Sequence, residues 1–250
     1  MLNIVIPMAG RGSRFSQAGF ALPKPLIEIH GHPMIEVVIH NLCPSVKHHF
    51  IFLCLKEHLE QYGLRQKLTR WAPKCEIILV DRVTEGAACT VLLAKELINN
   101  REPLMIANSD QWVNFPIDRY MAQLGTQKLD GLIMTMYASD PKWSFVRLGE
   151  KGQVTEVVEK KVISNEATVG IYNFREGADF VKAADEMIKK NLRVNNEFYV
   201  APVYNQMIAA GKKIGFFNVG KCQEVMYGLG TPEDFKYFAE LPVSKKAVSA

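Results

Sequence analysis

Residues 3–15, NIVIPMAGRGSRF, decide how this chain is read. The apolar run 3–9 has the length of a buried strand, and Gly10 and Gly12 end it in a tight turn. Glycines at such a strand end remove side chains, so that backbone N–H groups can face phosphate oxygens. A helix starting just beyond adds a favourable dipole. The loop matches neither common phosphate fingerprint: Phe15 stands where G-x-G-x-x-G needs glycine, and no Gly-Lys-Ser/Thr follows at P-loop spacing. A ligand-free strand-to-helix turn fits the same residues equally well.

The pattern repeats outward from this stretch. Residues 50–55, 75–80, 103–108 and 131–138 read as further strands, separated by helical runs at 33–42, 56–71, 87–99 and 116–124. In 33–42, Ile35, Val38, Ile39 and Leu42 share one helical face. Continuous apolar strands alternating with helices predict a parallel sheet covered on both faces, with ligands at the strand carboxyl ends. Both Gly10 and Asp110 fall at such ends. After residue 140 the rhythm changes. Residues 144–160 read as a hairpin turning at Lys151-Gly152, and 167–174 and 213–219 as strands. Residues 177–190, 201–211 and 231–241 read as helices, the last with Thr231 as N-cap and Pro232 at N1. The expectation is a single-domain α/β fold, a Rossmann-like, mostly parallel mixed sheet with helices on both faces. Residues 1–240 form the domain, and 241–250 a frayed tail.

Composition narrows the class. A chain of 250 residues, 48% hydrophobic and 22% charged, is an ordinary globular protein. The net charge of +4 is too small and dispersed for nucleic acid but suits an anionic ligand. The five cysteines share no C-x-x-C spacing and several sit in apolar runs, as buried hydrophobes of a reducing cytoplasm would. No leader and no membrane-length apolar run is expected, so a cytoplasmic protein follows, as a possible homo-oligomer. The six histidines lie within the first 58 residues without metal spacing, and Lys47–Phe50 reads as a loop before a strand. Of the tryptophans, Trp112 is the one expected near a site, because it follows Asp110.

Lys24 stands between Pro23 and Pro25, ten residues beyond Arg14. Proline fixes its own φ and restricts its predecessor, so Lys24 reads as a cation on a stiff extended segment, ready for a polyanion. MAGRGSRF followed by LPKPLIEI resembles the signature of the sugar-1-phosphate nucleotidyltransferases, in the short form without a C-terminal extension. That resemblance implies attack of an acceptor phosphate on the α-phosphorus of a nucleoside triphosphate, with pyrophosphate leaving. It also implies Mg2+ as cofactor. By the same resemblance, Ala9, Gly10, Arg11 and Gly12 cradle the triphosphate, Arg14 neutralises the leaving pyrophosphate, and Lys24 holds the α-phosphate. Asp110 is the implied metal ligand, with Asn108 beside it. Glu85, Gly86 and Ala87 are implied to read base and ribose, with Thr90 opening the helix behind them. Glu159, Lys160, Gly170 and Glu197, with Asn196 beside it, are implied to hold the acceptor, Lys160 its phosphate.

Two departures from the family pattern concern metal and acceptor. Gly228 stands where relatives carry a second metal-binding aspartate, although Gly230, Thr231, Pro232 and Glu233 fit. Glu224 or Asn218 is the substitute considered, or else Asp110 acts alone. Pro202 replaces a common acceptor-side aspartate. The expected activity is nucleotidyl transfer to a sugar 1-phosphate or similar small phosphate ester, feeding surface polysaccharide. The alternatives are a cytidylyltransferase for an acceptor such as phosphocholine, or a related glycosyltransferase using a nucleotide sugar. Asp110 has no second aspartate in Asp-x-Asp spacing, which counts against the last. A non-catalytic nucleotide sensor is disfavoured because Arg14, Lys24, Asp110 and Lys160 are all present.

Overall fold

The computed structural model describes residues 1–249. Thirteen strands occur in chain order: β1 Leu2–Met8, β2 Glu28–Ile29, β3 His32–Pro33, β4 His48–Leu55, β5 Glu76–Val80, β6 Leu104–Ala107, β7 Gln111–Val113, β8 Gly131–Tyr137, β9 Ser144–Leu148, β10 Val154–Glu159, β11 Glu166–Phe174, β12 Ile214–Lys221 and β13 Met226–Gly228. Nine of them build one mixed sheet in the order β10-β9-β11-β6-β1-β4-β5, with β8 joining β11 to β12. The expected single α/β domain is present. Pairing is parallel among β6, β1, β4 and β5 and between β12 and β8, and antiparallel wherever β11 and the β9–β10 hairpin take part.

The helices are α1 Ser13–Gln17, α2 Met34–Leu42, α3 Lys56–Gln61, α4 Leu64–Trp71, α5 Ala87–Leu92, α6 Lys95–Ile98, α7 Ile117–Thr126, α8 Gly177–Lys189, α9 Val203–Ala209, α10 Pro232–Glu240 and α11 Pro242–Val248. None is long and apolar enough to cross a membrane among the described residues. Central β1 is buried on both faces, which is why its sequence runs apolar without alternation. Its pairing with β6 ends at Val5, while pairing with β4 continues to Met8. Pro7 therefore sits where only one neighbour is paired, the place at which a missing N–H costs least. Ile4 and Ile6 point into one apolar cluster with α2, α4 and α7, and Val5 into the opposite one with α5, α8 and α9. A third cluster joins Phe15 of α1 to Trp112, Tyr227, Phe235, Phe238 and Ala247.

Several local expectations need correction. Lys24 does not lie on an extended segment: residues Lys24–Leu26 form a 3₁₀ turn, entered from Pro23 at φ −56° and ψ 144°. The polar run 56–71 is two helices, because Gly63 adopts φ +60° between α3 and α4. Likewise 87–99 divides into α5 and α6. His48 and His49 are not loop residues but open β4, paired with Leu2 and Asn3. The short β7–β13 pair had no sequence signal; it pairs Gln111–Val113 with Met226–Gly228 across a long sequence distance.

The tail is not frayed. Residues 242–248 form α11, Ala247 is buried in the third cluster, and the Ser244 hydroxyl meets His30 Nε2 at 2.7 Å. Its apolar residues are few and spaced by lysines, so periodicity alone could not show the docked face. Deleting residues 242–250 is expected to cost about 2 kcal/mol of apolar burial. That corresponds to a melting temperature lowered by about 4–8 °C for a chain of this size, readable by differential scanning calorimetry. An unchanged melting temperature would show that α11 adds nothing.

Candidate active site

β1 and β6 are parallel neighbours, so the loops after Met8 and Ala107 leave the same edge of the sheet. A cleft of about 520 Å³ opens there. On one wall Lys24 Nζ donates to Asp110 Oδ2 at 2.8 Å, both side chains being about one-fifth to one-quarter exposed (21% and 24%). Gly12 makes this approach possible. It adopts φ +63°, and a Cβ there would stand 3.0 Å from Lys24 Cβ. The Asp110 carbonyl accepts from Leu229 N–H at 2.7 Å, which ties the β6 loop to the segment before α10. A side chain at Gly230 would collide with Asp110, its Cβ 2.7 Å from Oδ2.

The opposite wall is made by the end of β10. Glu159 is buried and accepts a short hydrogen bond from the Ser144 hydroxyl. Burial raises its carboxyl above the usual glutamate range. The Ser144 hydroxyl and Lys160 pull it back only in part, and Glu197 pushes it further up. Lys160 stands at φ +54°, its N–H bonded to the Trp143 carbonyl at 3.1 Å. Its ammonium donates to the Tyr199 hydroxyl at 2.5 Å. Gly170 floors the cleft at φ +90°; its carbonyl accepts from Asn108 N–H at 2.9 Å, and a Cβ would fall 2.3 Å from Asn108 Nδ2.

Nine of the residues singled out in the sequence line this one cleft: Arg14, Lys24, Ala87, Asn108, Asp110, Glu159, Lys160, Gly170 and Glu197. Ala9 is buried, while Gly10 and Arg11 are exposed at the loop. Arg11 and Gly12 line an adjoining cavity of about 280 Å³ that shares Lys24 with the main cleft. Gly86 lies against the backbone of Phe198, and Thr90 bonds back to its carbonyl. The Glu85 carboxylate is held by Arg193 at 2.6 Å, on the surface beside the cleft.

Neither substitute for the missing aspartate reaches the site. Glu224 is exposed and pairs with Lys221 at 3.4 Å, and Asn218 donates to Glu166 at 2.7 Å on β12. Neither is among the lining residues. Trp112 is likewise not at the site. It is buried with Tyr227 and Phe238, because β7 turns it into the third cluster. The tryptophan of the cleft is Trp143, joined there by Lys142, Tyr199 and Asp234. These four carry no motif. Only the hairpin start at Ser144 and the N-cap at Thr231 mark their neighbourhoods in the sequence.

The family model described as nucleotidyl transferase matches residues 4–220. The chain belongs to the nucleotidyl transferase family. This nucleotidyl transferase is 25% identical over 237 residues to the mannose-1-phosphate guanylyltransferase catalytic subunit beta of Dictyostelium discoideum, covering 92% of the chain and 64% of that relative. It thus spans under two thirds of that relative's length. Among solved structures it is similar to a nucleoside-diphosphate-sugar pyrophosphorylase from Vibrio cholerae, with TM-score 0.81 and 26% identity over 95% of this chain and 100% of that one. A UTP-bound UGPase from Acinetobacter baumannii shares the fold, with TM-score 0.73 and 16% identity over 100% and 97% of the two chains.

The raised carboxyl of Glu159 has a sign that can be measured. The folded protein holds this proton more tightly than the unfolded chain does. The stability it contributes is therefore full below the usual glutamate range and is lost as pH rises through the raised value. Glu159→Gln should flatten the fall in unfolding free energy across that window, measured by urea denaturation at a series of pH values. A variant whose stability falls as steeply as the wild type's would remove Glu159 as the cause.

Proposed function

We propose that this nucleotidyl transferase moves a nucleoside monophosphate from a nucleoside triphosphate onto a sugar 1-phosphate. An acceptor phosphate oxygen forms the new bond to the α-phosphorus, the bond to the β-phosphate oxygen breaks, and pyrophosphate leaves. The observation that carries the reading is the pair of cationic centres lining one cleft: Lys24 beside Asp110, and Lys160 beside Glu159 at the end of β10. Two anions must be brought together, so the chain's work is positioning and charge compensation.

In this reading the exposed loop at Gly10–Gly12 cradles the triphosphate, and Gly86 and Ala87 let the base and ribose come close. Lys24 meets the α-phosphate, and Arg14 the departing pyrophosphate. Lys160 takes the acceptor phosphate, while Glu159, Glu197 and the Gly170 backbone hold its hydroxyls. The residues fit a divalent ion such as Mg2+: Asp110 is a strand-end carboxylate, and the bare Gly230 keeps the space against its Oδ2 clear. One carboxylate with phosphate oxygens and water suits that hard ion, which would add positive charge beside the triphosphate. The relatives' names make mannose 1-phosphate with GTP and glucose 1-phosphate with UTP the first pairs to assay. A product of this kind suits surface polysaccharide assembly.

The deciding experiment is pyrophosphate release with each triphosphate and a panel of sugar 1-phosphates. Release with none of them would overturn the reading. Given an active pair, Lys24→Ala should lower kcat by about 10²-fold or more, the size of losing one preorganised charge contact. A folded variant with normal turnover would remove that role. Calorimetry supplies a further check. Mg2+ should bind the nucleotide-free protein weakly, and Asp110→Asn should abolish its uptake with nucleotide. Tight binding without nucleotide would contradict a site built on one protein carboxylate.

A further inference from the structure

The segments 84–88 and 193–199 run backbone to backbone beside the cleft. Phe198 N–H donates to the Glu85 carbonyl at 2.8 Å, and Ala88 N–H donates to the Phe198 carbonyl at 3.0 Å. Gly86 stands at φ +131°, and a Cβ there would collide with the Phe198 backbone. One side-chain contact crosses the same seam. The Glu85 carboxylate meets the Arg193 guanidinium at 2.6 Å, and Glu85 is not among the residues lining the cleft. Arg193 is fixed from other sides as well. Its Nε donates to Asn191 Oδ1 at 2.6 Å, and its guanidinium carbon lies 4.3 Å from the centroid of the buried Phe198 ring. Just beyond Arg193 the chain reverses. Val194 and Glu197 exchange two backbone hydrogen bonds of 3.0 Å, and Asn195 and Asn196 between them stand at φ +48° and +63°. Those are the paired left-handed residues of a tight two-residue turn, a backbone that asparagine tolerates. Arg193 Nη1 donates to the Asn196 carbonyl within this turn at 3.5 Å. Glu197, which closes the turn, lines the cleft.

We propose that Glu85, although it stands in the nucleotide-side segment, works for the acceptor: it fixes Arg193, and Arg193 fixes the turn that presents Glu197 to the cleft. This rests on the transfer reaction argued above, with Glu197 at the acceptor. Glu85 and Arg193 are then positioning residues, and Glu85 does not read the base. To do so its carboxylate would have to accept from an amino group of a neutral ring. That weaker donor would have to displace a charged, planar guanidinium already in place. The side chains of Glu85 and Arg193 are 64% and 33% exposed, and an isolated pair so placed would contribute little. Here Asn191 and the face of Phe198 already order the arginine, so less side-chain freedom is lost when the pair forms. The effect is modest in size but falls on one substrate.

The test uses the triphosphate and sugar 1-phosphate that give the fastest pyrophosphate release. Glu85→Gln should raise the KM for the sugar 1-phosphate about threefold, the size of one partly exposed ion pair. The Kd of each triphosphate, by calorimetry without acceptor, should stay within about twofold, and the order of the triphosphates should not change. Arg193→Ala should raise the same KM at least as much, and adding Glu85→Gln to it should raise it no further. The ratio of variant to wild-type KM should approach one as sodium chloride rises to about 1 M, where charges are screened beyond about 3 Å. A defect of packing alone would leave that ratio unmoved, and such a result refutes the pair as the cause. A change in the order of the triphosphates after Glu85→Gln makes Glu85 a base reader and overturns the proposal. An unchanged acceptor KM refutes it as well, and so do losses that add in the double variant. In each of these cases the wild type still releases pyrophosphate, and the transfer reaction stands. No release by the wild type with any sugar 1-phosphate overturns the transfer reaction and this proposal together.

Discussion

The ion pair between Lys24 and Asp110 is the contact around which the cleft is arranged. Its partners come from a 3₁₀ turn and from the loop after β6, 86 residues apart in the chain. Two bare positions make room for it: Gly12 behind the lysine and Gly230 against the carboxylate. The pair is only partly exposed, so each charge lowers the cost of keeping the other in the cleft before any ligand arrives. In the proposed reaction a triphosphate or a metal ion would have to compete for groups that already satisfy one another. Both are multiply charged, which is the kind of ligand able to do so.

The far wall follows the same logic with a different balance. Glu159 is buried more deeply than Asp110, and that burial raises its carboxyl above the usual glutamate range, while Lys160 is drawn to Tyr199. One wall is thus dominated by fixed charge, and the other by hydrogen-bonding groups and aromatic surface. That division suits a reaction whose donor is mostly phosphate and whose acceptor is mostly hydroxyl and carbon.

Much of this was legible in the sequence, for physical reasons. Buried parallel strands must be apolar on both faces, so β1, β4, β6 and β8 announce themselves as continuous runs. Glycines and prolines mark backbone that cannot be ordinary, which is why Gly12 and Lys24 could be found, whereas Gly170 was reached only through the family resemblance. What stayed hidden depends on distant partners. Trp112 and Trp143 are indistinguishable as letters; only the pairing of β7 with β13 sends one into the core, and only the gap at Gly228 admits the other to the cleft. Asp234 and Lys142 belong together only because α10 packs beside the approach to β9. The docked α11 escaped notice for the same reason, its few apolar residues having meaning only against the third cluster.

That third cluster also bears on how the chain is made. Phe15, just past the Gly10–Gly12 loop, packs on Phe235, with ring centroids 6.1 Å apart, and Asp110 is braced by Leu229. During vectorial synthesis residues 10–15 leave the ribosome long before their partners near residue 235 exist. The central strands can pair as they emerge. Phe15 also meets Phe20, Ile27, Ile29 and Met34 in that cluster, so the loop beside Gly12 gains part of its core early and the rest only with α10. The cleft is therefore complete only once the segment from Leu229 through α10, which braces Asp110 and Phe15, has been made.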